Sequence, residues 1–169
     1  PNLYTINADG SGSLKELTND NRSNRDITFN HDLSKAVYLS GRDEVRLLDL
    51  TSFKSSTLVK DEIWAFQNST PSFSPNGAYV LFTAARNFEQ DIVVHHLESK
   101  KTLNLTNTGV AEVSPSWSPD GKFIYFASNR TAASYPYGIQ NGSIYKMALD
   151  WHSTPFKSDK FSELFESKK

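Results

Sequence analysis

At 169 residues the chain is long enough to bury a core and falls within the usual size of one domain. Its 18 basic and 19 acidic residues leave a formal charge of −1, which argues against nucleic acid as a partner, and the absence of cysteine excludes disulfides, thiolate metal sites and a cysteine nucleophile. No apolar run approaches the roughly 20 residues that span a bilayer and no signal-peptide pattern opens the chain, so no membrane insertion is expected.

Pro1-Asn2-Leu3-Tyr4 already reads as a strand, so the sequence is expected to begin inside a longer protein. Leu3 to Ile6 and Leu14 to Thr18 bracket a polar hairpin, in which Asp9-Gly10-Ser11-Gly12 supplies residues that tolerate turn geometry. A turn is expected there rather than a calcium loop, because the alternating carboxylates and closing glutamate of such a loop are missing.

Further along, the sequence repeats. Thr28-Phe29-Asn30-His31-Asp32, Ser72-Phe73-Ser74-Pro75-Asn76 and Ser116-Trp117-Ser118-Pro119-Asp120 follow one another at intervals of 44 residues. The register runs on through Lys35 to Tyr38, Tyr79 to Phe82 and Phe123 to Phe126, then reaches Arg42, Arg86 and Arg130. It resumes at Val45 to Leu50, Ile92 to Leu97 and Ile144 to Leu149. Pro75-Asn76-Gly77 and Pro119-Asp120-Gly121 mark a turn: proline presets φ, the Asx side chain caps nearby backbone, and glycine accepts positive φ.

Tyr79-Val80-Leu81-Phe82 and Phe123-Ile124-Tyr125-Phe126 are apolar without alternation, so these second strands are expected to be packed on both faces. Sheets sandwiched between copies of themselves provide that environment, as in a β-propeller. The expected fold is all-β: a propeller fragment of about three to three and a half four-stranded antiparallel blades. Its parts are a partial blade over 1–20, blades over 26–62 and 64–109, and a partial blade over 112–150. Residues 153–169 form an exit linker and a short C-terminal helix, capped by Ser158 or Asp159 and with Phe161, Leu164 and Phe165 on one face.

No catalytic site is expected within these residues: there is no Gly-x-Ser-x-Gly elbow, and the four histidines lack a nucleophile's setting. His31 stands in the repeated turn, His152 in the exit, and His95 and His96 point to opposite faces of one strand, so that pair suits no shared metal. Neither a metal nor a cofactor is expected. The sequons at Asn21, Asn68, Asn104, Asn129 and Asn141 are read as products of asparagine-rich turns.

Arg42, Arg86 and Arg130 recur just past the buried strand and have two readings. They either form a set of guanidinium groups that grips peptide carboxylates or carbonyls, or make a repeated structural salt bridge or hydrogen bond, which is the favoured reading because repeat positions usually serve the repeat. Tyr135 and Tyr137 lie in an insertion of the last copy and form a candidate contact surface.

Pro115-Ser116-Trp117-Ser118-Pro119-Asp120-Gly121-Lys122, with Ile124-Tyr125-Phe126 and Ser128-Asn129-Arg130, resembles the Pro-Asp-bearing WD-like repeat of TolB and tricorn propellers. Leu3 to Thr18 resembles the strand-hairpin-strand of the same repeats, and the Pro155-Phe156 and Ser158-Asp159 exit looks like that of bacterial tricorn-like serine peptidases. The resemblance implies a non-catalytic propeller that gates substrate, or binds protein or peptide, for a peptidase domain elsewhere in the parent. The alternative is a TolB-like periplasmic protein-binding propeller with no enzyme attached, and a third is the propeller of a prolyl-oligopeptidase-type enzyme. A periplasmic or otherwise extracytoplasmic setting is implied, with the cytoplasm as the alternative. Open blade edges also lead to an expected edge-to-edge homodimer, or slow aggregation, against which a clean monomer in light scattering would count.

Overall fold

Each copy of the repeat folds into its own antiparallel sheet. The computed structural model describes residues 1–63, 70–86, 89–131 and 141–149. Strands β1 (Tyr4–Thr5) and β2 (Lys15–Glu16) pair first. A four-stranded sheet follows, made of β3 (Asn24–Phe29), β4 (Lys35–Ser40), β5 (Glu44–Asp49) and β6 (Ser55–Lys60). The next holds β7 (Ser72–Phe73), β8 (Tyr79–Arg86), β9 (Glu89–His96) and β10 (Thr102–Asn104), and the last β11 (Glu112–Trp117), β12 (Phe123–Ser128) and β13 (Ser143–Ala148). In each sheet the strands lie in chain order, and the described residues contain no helix. The architecture is the expected all-β propeller fragment. The helix expected over 153–169 lies outside the described residues.

The turn between first and second strands is one motif built three times. Ser74 Oγ donates to Asn76 Oδ1 (2.7 Å) and accepts from the Tyr79 N–H (2.9 Å). Ser118 Oγ donates to Asp120 Oδ1 (2.5 Å) and accepts from the Phe123 N–H (2.9 Å). In the first copy Asn30 Oδ1 takes the Lys35 N–H at 2.8 Å. Hydrogen bonds from the Ser118 hydroxyl and the Lys122 N–H hold the Asp120 carboxyl below its ordinary range.

Gly77 and Gly121 close this turn at a φ of 70°, whereas the first copy holds Leu33 there at 58°. A side chain in the left-handed region costs about 1–2 kcal/mol, and Leu33 is 67% exposed, so little packing offsets that cost. Leu33→Gly is therefore expected to stabilise the protein by roughly 0.5–1 kcal/mol, after the entropy that glycine returns to the unfolded chain. A higher urea midpoint at unchanged slope is the readout; a lower midpoint would show that the leucine contributes more than its strain costs.

Alternate residues of each second strand serve different neighbours. Val37, Leu39 and Val45 of the β3–β6 sheet pack with Val80, Phe82, Ala84 and Val93 of the β7–β10 sheet. Leu81 and Ile92, on the opposite face of that second sheet, join Ile124 and Phe126 of the third. Ala36, Tyr38 and Leu48 are covered by Leu3 and Leu17 beside β1 and β2. The third sheet departs from the expectation of two packed faces: Tyr125 is exposed and Ile144 is 75% exposed, because among the described residues no sheet packs against that side.

Candidate functional site

In an up-and-down sheet, the loop from second to third strand and the segment entering the first strand lie at the same end. Here the pairs Asn24 with Ser40 and Glu112 with Ser128 mark that end. Arg42, Arg86 and Arg130 all stand there, and residues 18–23, 61–63, 70–71 and 105–111 arrive beside them.

The structure gives the three arginines three different situations. Arg130 donates from Nε (2.9 Å) and Nη2 (2.7 Å) to Glu112 Oε1 within its own sheet. Glu112 is fully buried, also accepts from Thr108 Oγ1 at 2.6 Å, and keeps Oε2 without a hydrogen-bond partner. The Arg130 guanidinium lies 5.3 Å from the ring centres of both Phe126 and Tyr145. Arg86 reaches across to the segment after the preceding sheet, where its Nε meets Asp61 Oδ1 at 3.1 Å and its Nη2 meets Oδ2. The bond to Asp61 raises the Arg86 pKa further above its ordinary value against the opposing effect of burial. The Arg42 side chain is exposed and takes part in none of the ion pairs or hydrogen bonds among the described residues.

Around Arg42 lies a charge network that the repeat did not announce. Arg22 pairs with Asp43 and bonds Ser40 through Nε to Oγ (3.0 Å) and Nη2 to the carbonyl (3.0 Å). Arg46 meets Asp20 at 2.5 Å and Glu44 at 3.3 Å, and Lys60 meets Glu44 at 3.5 Å. Burial pushes the Asp20 carboxyl up, but hydrogen bonds from Asn24 and the Arg22 N–H, together with Arg46, outweigh it and hold the group below its ordinary range.

The remaining candidates are placed elsewhere. Tyr135 and Tyr137 lie outside the described residues. His95 is buried with Nδ1 2.9 Å from Thr102 Oγ1, and burial, with a smaller contribution from His96, lowers its pKa. His96 turns to Ser99 Oγ at 2.7 Å and to the Tyr79 ring, 4.6 Å away. Asp9 accepts the Ser11 N–H at 2.8 Å inside the first hairpin. Among the described residues no three His, Asp or Glu side chains are grouped to hold a metal, and no helix is long and apolar enough to cross a membrane.

The family model described as the TolB beta propeller domain matches residues 38–162. The chain belongs to the TolB β-propeller domain family. TolB from Acinetobacter baumannii superposes with a TM-score of 0.65 at 24% identity, over 88% of this chain and 35% of that one. The tricorn protease gives 0.66 at 17% identity, over 94% of this chain and 16% of that one. Oligogalacturonate lyase in complex with manganese gives 0.62 at 17% identity, over 88% of this chain and 41% of that one. The chain thus spans well under half the length of each, and the likeness is one of fold. A sequence search of curated proteins finds no match.

Within this TolB-type propeller the arginine position has a repeat signal, but its partners do not. Glu112 stands where the first sheet has Asn24, two repeats earlier, and Val110 where it has Arg22. Reading down the repeat at positions 22, 24 and 44, rather than along the chain, is the signal that could have found them.

Proposed function

We propose that the chain is a non-catalytic propeller module that binds peptide or protein segments at its arginine-bearing end, as the substrate-gating part of a tricorn-like serine peptidase. The observation that carries the reading is one end of three successive sheets, reached by segments that vary in sequence, at which the exposed Arg42 guanidinium meets no carboxylate among the described residues. Loops held by a rigid scaffold are where such proteins place recognition. The second reading is a TolB-like protein-docking propeller with no enzyme attached, and the family match over residues 38–162 favours it. Sequence of the gene beyond the codon for Lys169 separates the two: a peptidase domain supports the first, and further blades alone support the second. We also propose a setting outside the cytoplasm, with the cytoplasm as the alternative, and an edge-to-edge homodimer, a pairing that the bare Tyr125–Ile144 side at the open end of the array supports.

Calorimetric titration with unstructured peptides of a casein digest is the direct test. The expected result is binding without cleavage, weakened as salt is raised, because exposed charges are screened within about 10 Å at 0.1 M. Cleavage of the peptides by the purified protein, or no heat at any salt concentration, would overturn the reading.

A further inference from the structure

We propose that Arg42 is the residue of this end that binds a carboxylate of the partner, while Arg86 and Arg130 are structural, the first tied to the segment after the preceding sheet and the second to a strand of its own sheet. This deepens the proposed binding function and rests on it. Three arginines share one repeat position, yet two are held by carboxylates of the protein itself, Asp61 for Arg86 and Glu112 for Arg130. In the first sheet the position of Glu112 belongs to Asn24, which carries no charge. The local geometry survives that exchange: Asn21 and Gly109 sit at matching positions in the left-handed region, with φ of 59° and 78°. Asn24 Nδ2 donates to Asp20 Oδ1 at 2.8 Å, where Thr108 Oγ1 donates to Glu112 Oε1 at 2.6 Å. The hydrogen bond of the loop is kept with its direction reversed, and the carboxylate that would hold the arginine is gone.

The other carboxylates nearby have cations of their own. Asp43 is paired with Arg22, Asp20 with Arg46, Glu44 with Arg46 and Lys60, and Asp61 with Arg86. Glu62 is exposed, makes no ion pair among the described residues, and contributes its charge to Arg86.

The backbone beneath Arg42 is meanwhile pinned on every side. Its carbonyl accepts the Ile63 N–H at 2.9 Å, the neighbouring Asp43 carbonyl accepts the Asp61 N–H at 2.9 Å, and the Gly41 N–H donates to the Ser23 carbonyl at 2.9 Å. Arg25 Nη1 donates to the Gly41 carbonyl at 2.7 Å. A fixed base with a free guanidinium fork suits two-pronged recognition of a carboxylate, which comes from either an acidic side chain or a peptide C-terminus.

Two labelled peptides separate these sources: hexaglutamate amidated at its C-terminus, and N-acetylated hexaserine with a free C-terminus. Fluorescence anisotropy is read on the wild-type protein, Arg42→Gln, Arg42→Lys and Arg86→Gln, with thermal melts alongside. The expected result is roughly tenfold or greater loss of affinity for one of the peptides in Arg42→Gln at unchanged melting temperature, and a smaller loss in Arg42→Lys, which keeps charge without the fork. Arg86→Gln should lower the melting temperature and leave the affinity of the folded protein alone. Equal affinity of Arg42→Gln and wild type overturns the assignment to Arg42 but not the binding function. No binding of either peptide by the wild type, at low salt, overturns the carboxylate class itself; if casein peptides still bind, the module reading survives it.

Discussion

Arg130→Met is expected to lower folding stability by about 3 kcal/mol, the cost of leaving a buried carboxylate without its cation. Glu112 is 0% exposed, and two of the three donors that reach its Oε1 belong to Arg130, the third being Thr108 Oγ1 at 2.6 Å. Arg130 is itself 34% exposed, so water relaxes part of the loss, which places the expectation at the low end of the range for broken buried pairs. Methionine gives up the guanidinium's contact with the Phe126 and Tyr145 rings along with its charge, but its thioether can pack against the same rings, which limits the loss from packing. Urea unfolding measures it, and the double variant Glu112→Gln with Arg130→Met should recover a large part of the loss because no buried charge then remains. A single variant within about 0.5 kcal/mol of wild type would mean that Glu112 finds another donor.

Phe82→Ala is expected to cost about 4 kcal/mol, the larger of the two effects. Phe82 is fully buried at the seam where the first and second four-stranded sheets meet, among Val37, Leu39, Val45, Val80 and Val93. Its strand is paired to β9 along its whole length and to β7 at the adjoining Val80 and Leu81, so the backbone cannot collapse into the space a truncation leaves, and the cavity term adds to the lost transfer energy. Tyr125→Ala, at a comparable place on β12 but on the bare face, should change stability by no more than about 1 kcal/mol. Thermal or urea unfolding of both variants side by side checks the contrast. Equal losses would show that the Tyr125 face is covered in solution.

That contrast also shows where reading the sequence stopped. Tyr79-Val80-Leu81-Phe82 and Phe123-Ile124-Tyr125-Phe126 look alike as strings, and both lead to the expectation of a strand packed on two faces. Val80, Leu81 and Phe82 meet it, whereas Tyr125 does not, because burial of a strand face depends on whether another sheet lies against it. The Pro-Asx-Gly turns, by contrast, were legible in their caps and glycines, since Asn76 and Asp120 bond backbone two positions on, although the part of the Ser74 and Ser118 hydroxyls was not read.

The site divides in the same way. The recurrence of Arg42, Arg86 and Arg130 is a property of the string, and it brought all three to one end of the sheets. Their separate fates were not legible there: Arg86 meets a carboxylate from the segment after the preceding sheet, Arg130 one from its own sheet's first strand, and Arg42 none among the described residues.

By itself, then, the sequence determined the repeated four-stranded unit, its turns and the common end at which the arginines stand. These follow from local backbone chemistry and from a 44-residue period that copies it along the chain. Only the tertiary structure decided which face of each sheet is buried and which arginine keeps a free guanidinium. Both depend on what an adjoining sheet or loop, distant in sequence, brings within contact, and the strength of an ion pair or an apolar contact is set by that neighbour and by the water it displaces.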